Sequence, residues 1–277
     1  MSPAISDIAV HLTGSTEDHV RIAHASAIAG LTGARLSGLY THILPSLLEI
    51  TDPAGSGFLQ KLIADSVEEA LKITARLVDE IGVTGIPGEI RRLDLYPNEV
   101  ASALAREVRS SDLFVGTLPY GDMAGGEGIE EAVLFDSGRA CCFIPPAYSR
   151  RPAFGNVLIA WNGSAESARA AGAALPLLER AQRITAVAIV EPSASTREGE
   201  PLALLHRYLA NHRLDVESKT AANRGSIGEA LIGEIHASEA DLIVMGGYGH
   251  SRFREWVLGG ATRLLLSQSP VPVFTTH

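Results

Sequence analysis

Residues 242–252 read Leu242-Ile-Val-Met-Gly246-Gly-Tyr-Gly249-His-Ser-Arg252, and a further glycine pair, Gly259-Gly260, follows. Four apolar residues running straight into glycines are the pattern of a buried parallel strand that empties into a loop. Glycine lets a backbone approach a ligand closely, because no Cβ stands in the way. The spacing G-x2-G-x9-G is longer and more specific than a lone glycine pair. Gly259 and Gly260 interrupt an apolar segment and predict the start of a second helix, whose free N–H groups favour an anion.

The same pattern has a counterpart earlier in the chain. Residues 8–15 (Ile-Ala-Val-His-Leu-Thr-Gly-Ser) and 157–164 (Val-Leu-Ile-Ala-Trp-Asn-Gly-Ser) are both apolar strands ending in Gly-Ser before an alanine-rich helical stretch. Ser15 and Ser164 are expected as N-caps, with Asp18 completing a capping-box-like spacing in the first copy. Second strands are predicted from Arg35 to Tyr40 and from Arg183 to Val190. Asn98 is expected to open a helix ending before Asp112, and Ser226 with Glu229 one ending before Asp241. The last strands, 140–146 and 270–276, also correspond. The middles differ: a long helical pattern spans residues 57–82, against a shorter one around 201–212. Two such copies predict two tandem α/β domains, each with an open, mainly parallel sheet. The expected boundaries are 1–148 and 149–277, with Pro145–Pro152 as an extended linker.

Composition narrows the function. The 277 residues are 46% hydrophobic, ample for packed cores, and no run is long enough for a membrane helix. The beginning of the chain does not read as a signal peptide, and two cysteines make no disulfide framework; both favour the cytoplasm. A net charge of −9 argues against nucleic acid as a partner. Residues 1–148 carry 20 Asp and Glu against 10 Lys and Arg, while the remainder carries 12 against 13. An anionic ligand should therefore prefer the second half.

In an open parallel sheet, ligands sit beyond the carboxyl ends of strands where strand order reverses. The ends at Ala160-Trp161-Asn162, Ile189-Val190-Glu191 and Met245-Gly246 are expected to enclose one crevice with Gly249, Gly259, Gly260, Ala261 and Thr262. Backbone amides at Gly249–Ser251 and Gly260–Thr262 could hold phosphate oxygens, with His250, Ser251 and Arg252 as side-chain donors. Asn162 and Glu191 are placed to meet a ribose or base, and Trp161 either stacks there or packs as core. Segment 191–201 reads as a loop beside this crevice. Cys141 and Cys142 alternate on one strand and read as ordinary core. Among the nine histidines, His24, His206 and His212 read as partly exposed helix residues.

These motifs resemble the universal stress protein family, and nearly the whole chain looks like two of its domains in tandem, a fold of the adenine-nucleotide α-hydrolase-like type. The resemblance implies an adenine nucleotide, ATP or AMP with an accompanying Mg²⁺, in the C-terminal domain. Asn162 would meet the nucleoside, Ile189 and Val190 would offer backbone to adenine, and Gly246, Gly249, Gly259 and Gly260 would hold phosphates. Two departures stand out: Asn162 replaces the family's Asp, and Gly260 replaces its Ser or Thr. The first copy departs further, with Thr13 at the position of Asn162, acidic residues such as Asp122 and Glu127 in its loop, and a final helix cut short before Phe135. It is expected to be a partner domain, not an equal site.

The resemblance also implies that the two last strands pair, Ala140–Ile144 beside Val271–Phe274, as an intramolecular pseudo-dimer that leaves a further homodimer compatible. The expected role is a regulatory, nucleotide-binding one with at most slow hydrolysis, since no base or nucleophile is positioned by any motif. The rival expectations are an interaction or scaffold module of the same fold without nucleotide, and an adenylyl-transferring enzyme, for which the turn Asn162–Glu166 offers no phosphate-gripping signature.

Overall fold

The computed structural model describes residues 5–46, 55–119, 128–190, 200–223, 225–247 and 260–277. The first half runs β1 (Asp7–Leu12), α1 (Asp18–Thr32), β2 (Arg35–Ile43), α2 (Gly55–Val83), β3 (Gly88–Leu95), α3 (Val100–Val108), β4 (Leu113–Thr117), α4 (Ile129–Asp136) and β5 (Ala140–Ile144). The second runs β6 (Asn156–Ala160), α5 (Ala165–Ala173), α6 (Leu175–Leu178), β7 (Arg183–Val190), α7 (Glu200–Asn211), β8 (Glu217–Ala222), α8 (Ile227–Ala237), β9 (Leu242–Gly246), α9 (Gly260–Gln268) and β10 (Val273–Thr276). The ten strands of the described residues form one sheet in the order β3-β2-β1-β4-β5-β10-β9-β6-β7-β8. Among the described residues each half is parallel throughout, and the halves meet in one antiparallel pair, β5·β10.

Helices cover both faces, as a parallel sheet requires. Alternate residues of each strand enter opposite cores: Ile8, Val10 and Leu12 belong to the core covered by α1, α2, α5, α6 and α7, and Ala9 to the core covered by α3, α4, α8 and α9. Cys141 and Cys142 follow this alternation, one in each core, and burial pushes the Cys142 thiol up to about 12. They are inert packing residues.

The repeat extends to side-chain detail. Asp112 accepts from the backbone N–H of Ser6 (2.8 Å) and Asp7 (3.1 Å), and Asp241 from those of Gly155 (3.1 Å) and Asn156 (3.1 Å). Each carboxylate ties the start of the fourth strand of its half to the start of the first. Gly14 and Gly163 take φ of +82° and +75° in the two equivalent strand–helix turns.

Several expectations are corrected. Ser15 does not cap α1; Glu17 occupies that position without a side-chain bond, and the Asp18 carboxylate turns back to the N–H groups of Thr13 (3.0 Å) and Gly14 (2.8 Å). Asn98 does not cap α3, which begins after Glu99. Helix α4 runs through Phe135 to Asp136 instead of stopping before them. The helix after β6 breaks into α5 and α6 because Pro176, at the start of α6, has no N–H to continue the ladder. The Ser226–Glu229 capping box is present, with both of its hydrogen bonds.

His24 is also corrected: it is buried, its Nδ1 lies 2.8 Å from the Val20 carbonyl, and its ring packs on Tyr148 in the segment joining the halves. Burial outweighs the Val20 bond and lowers its pKa from the ordinary 6.5. The unfolded chain therefore takes up this proton first on acidification. The stability His24 contributes is complete above about pH 6.5 and is lost as pH falls through its folded value. Melting between pH 7.5 and 5.5 should show a drop that is shallower in His24→Gln, whose amide keeps a donor for Val20. Equal slopes in the two proteins would remove His24 as the cause.

Candidate functional site

Strand β6 lies between β7 and β9, so the crossover from β6 goes one way and the return through β9 the other. This is a topological switch point. Helix α5 connects parallel strands β6 and β7, and α9 connects parallel strands β9 and β10. Each such helix must run back against its strands, so the N-termini of α5 and α9 both open at the carboxyl edge of the sheet. Two helix N-termini therefore open at the edge where β6 and β9 end side by side, Ala160 opposite Met245.

The turn after β6 is built from short side chains. The Asn162 carboxamide oxygen accepts from the Ser164 N–H (3.1 Å), and Ser164 Oγ accepts from the Ser167 N–H (3.2 Å) as the expected N-cap of α5. Glu166 follows in the first turn, its carboxyl held below the ordinary range by its own backbone N–H first, then by Ser164 and Arg169, against the opposing effect of burial. Trp161 is partly buried against the core, and its backbone N–H donates to the Val187 carbonyl (2.8 Å).

Gly246 needs to be glycine for a reason different from the expected one. A Cβ there would lie 2.5 Å from the Ser167 nitrogen and 2.6 Å from the Glu166 carbonyl carbon. The backbone that approaches it is that of α5. Ile189 and Val190 are half-buried at the end of β7, paired with Ala221 and Ala222, and the Val190 carbonyl already accepts from Asn223 N–H (2.8 Å). At Gly260, the first residue of α9, no atom of the described residues lies within 4 Å of where a Cβ would stand; Ala261 is half-buried, and Thr262 is buried. Gly249, His250, Ser251 and Gly259, with Glu191 and Arg252, lie outside the described residues. The structure thus brings together Ala160, Trp161, Asn162, Met245 and Gly246 around the turn into α5.

Two features of the first half were not legible in the sequence. A cavity of about 440 Å³ opens at the carboxyl ends of β1, β2 and β4, lined among others by His11, Thr13, Arg21, Tyr40, Thr117 and Glu130. In its lining, His42 bridges Ser66 Oγ and Asp94 Oδ1, each at 2.7 Å. The atoms are those of a serine nucleophile relay. Ser66 lies inside α2, however, where neighbouring N–H groups are committed to the helix, and Asp94 is 35% exposed and paired with Arg92. An oxyanion needs uncommitted donors, so the chain of bonds is a tether of α2 to β2 and β3. Among the described residues, no group of three or more His, Cys, Asp or Glu could hold a metal ion, and no helix is long and apolar enough to cross a membrane.

Residues 153–277, the part that contains this switch point, match the sequence model of the universal stress protein family. No curated protein matches the chain. Among solved structures, a universal stress protein from Archaeoglobus fulgidus DSM 4304 superposes with a TM-score of 0.75 at 16% identity, covering 98% of this chain and 97% of that one. A putative universal stress protein from Pseudomonas aeruginosa UCBPP-PA14 gives 0.63 at 15% identity, covering 99% and 93%. At these identities the likeness concerns the fold. Residues 153–277 are a universal stress protein family domain, set in a chain that shares its fold over nearly its whole length with these two proteins.

Proposed function

We propose that the C-terminal half, residues 149–277, binds an adenine nucleotide, ATP or AMP, at the crevice between β6 and β9, and that binding rather than turnover is its event. The observation that carries this reading is the pair of helix N-termini opening on one switch point, within the stretch that matches the family. The amides at the start of α9, from Gly260, would face phosphate oxygens, and Mg²⁺ would enter as their counter-ion. The turn at Asn162–Ser164 would meet the nucleoside. The β5·β10 pairing supports reading the chain as an intramolecular pseudo-dimer in which residues 1–148 are the partner domain.

One observation favours a second reading, an interaction module without nucleotide. The Asn162 oxygen and the Val190 carbonyl, both wanted by a nucleoside, are already engaged within the chain. Calorimetry with ATP and AMP separates the two. Gly260→Asp is the informative variant, because no atom of the described residues lies within 4 Å of its new Cβ and an acid suits a helix N-terminus, so the fold is kept or slightly stabilised. A phosphate there would be repelled. Affinity should fall at least tenfold, about 1.4 kcal/mol, while Gly260→Ser, which adds a donor, should tighten binding. Affinity unmoved by Gly260→Asp, or no binding by the parent, rejects the nucleotide reading.

A further inference from the structure

The cavity of the first half lies at the equivalent switch point, between β1 and β4, but its chemistry is inverted. In the second half the strand–helix turn is capped by a hydroxyl, Ser164. In the first, the amides of Thr13 and Gly14 already hold a built-in anion, the fully buried Asp18 carboxylate. Arg21, 4% exposed and lining the cavity, is neutralised by that same carboxylate at 2.5 Å and bonds the hydroxyls of Thr13 (3.0 Å) and Thr117 (3.2 Å). Apart from Arg21 Nε, these donors are therefore spent, and the paired charges cancel.

What is left on the wall is negative. Glu17 and Glu130 both line the cavity, Glu130 against His11 Nδ1 (3.2 Å) and Glu17 against the Ala147 N–H (3.0 Å). Tyr40, Ile43 and Ile129 supply apolar surface. Arg21 Nε is buried and has no hydrogen-bond partner among the described residues, which leaves a donor for an acceptor atom. The volume suits a small molecule. Residues 1–148, with 20 acidic against 10 basic residues, would draw a cation toward it.

We propose that this crevice is a second, separate ligand site that binds a small organic cation bearing a hydrogen-bond acceptor, its charge meeting Glu130 and Glu17 and its body lying on Tyr40. The site excludes the phosphates that the C-terminal crevice would take. It stands whether or not the second half binds nucleotide.

Three probes of one shape decide it: 4-hydroxybenzamidine, 4-hydroxybenzamide and 4-hydroxybenzoate, positive, neutral and negative, titrated calorimetrically into the full chain. The amidine should bind at least tenfold tighter than the amide, and the benzoate should be weakest. Glu130→Gln should weaken the amidine at least fivefold and leave the amide within twofold; Glu17→Gln, which keeps an acceptor for Ala147, should act in the same direction. Gly260→Asp should leave amidine binding unchanged, which separates this site from the nucleotide one. Benzoate binding as tightly as the amidine, an amidine affinity indifferent to both glutamine variants, displacement of the amidine by ATP, or no binding by any probe would each overturn the proposal.

Discussion

Val273→Asp should destabilise the protein by roughly 2–4 kcal/mol, because it places a carboxylate in a dry seam with no partner. Val273 is fully buried, opposite Phe143 of β5 on one side and Ile243 of β9 on the other. The antiparallel ladder that joins the halves is only three residue pairs long, Val273–Thr275 against Phe143–Cys141. It cannot start earlier, since Pro270 and Pro272 lack N–H groups. Packing of Phe143, Val273 and Phe274, all without exposed surface, must therefore hold the seam. Urea unfolding at neutral pH would measure the loss. The penalty should shrink below about pH 4, where the carboxyl is protonated in both states and burial no longer opposes a charge. A cost under about 1 kcal/mol at pH 7 would mean that the seam admits water or opens readily.

The elements that could be read in advance are those whose signal is local. Apolar runs ending in Gly-Ser located β1 and β6, and the Ser226–Glu229 spacing located the start of α8. Strands β3 and β8 gave no such signal. Their sequences, Gly-Glu-Ile-Arg-Arg-Leu-Asp-Leu and Glu-Ser-Lys-Thr-Ala-Ala, are polar and largely exposed at the two sheet edges, and they are strands only because β2 and β7 offer a backbone to pair with. The capping role expected of Ser15 fails for a related reason. Its spacing to Asp18 is right, but Arg21 and the Thr13 and Gly14 amides compete for that carboxylate and win.

The candidate site divides in the same way. Its outline in the second half follows from strand ends and one cap, and those are local features. The first-half cavity does not, because its walls come from segments far apart: His11 meets Glu130 across 119 positions and Thr41 across 30. Nothing in the spacing of those residues announces that they share a wall. The buried His24 is the same case, since its environment is made by Tyr148 from the segment between the halves.

Gly246→Val should cost about 3 kcal/mol or more, as much a folding defect as a binding one. The strand-to-loop pattern reads this glycine as room for a ligand, yet the atoms within reach of a new Cβ are the Ser167 nitrogen at 2.5 Å, the Glu166 carbonyl carbon at 2.6 Å and Glu166 Cβ at 2.8 Å. Two of these are backbone of the first turn of α5, held by the Ser164 cap, and cannot rotate aside as a side-chain tip could. Either α5 shifts outward or β9 gives way, and both strip packing from the switch point. Thermal melting of Gly246→Val and Gly246→Ala, with Gly260→Ala as control, tests this. Both changes at 246 should lower the transition sharply, valine more than alanine. Gly260→Ala, at the start of a helix, meets no atom of the described residues within 4 Å and should stay within about 0.5 kcal/mol of the parent or exceed it. A Gly246→Val protein that melts like the parent while losing nucleotide would restore the ligand as the reason for this glycine, and would mean that α5 sits further from β9 than the 2.5 Å approach requires.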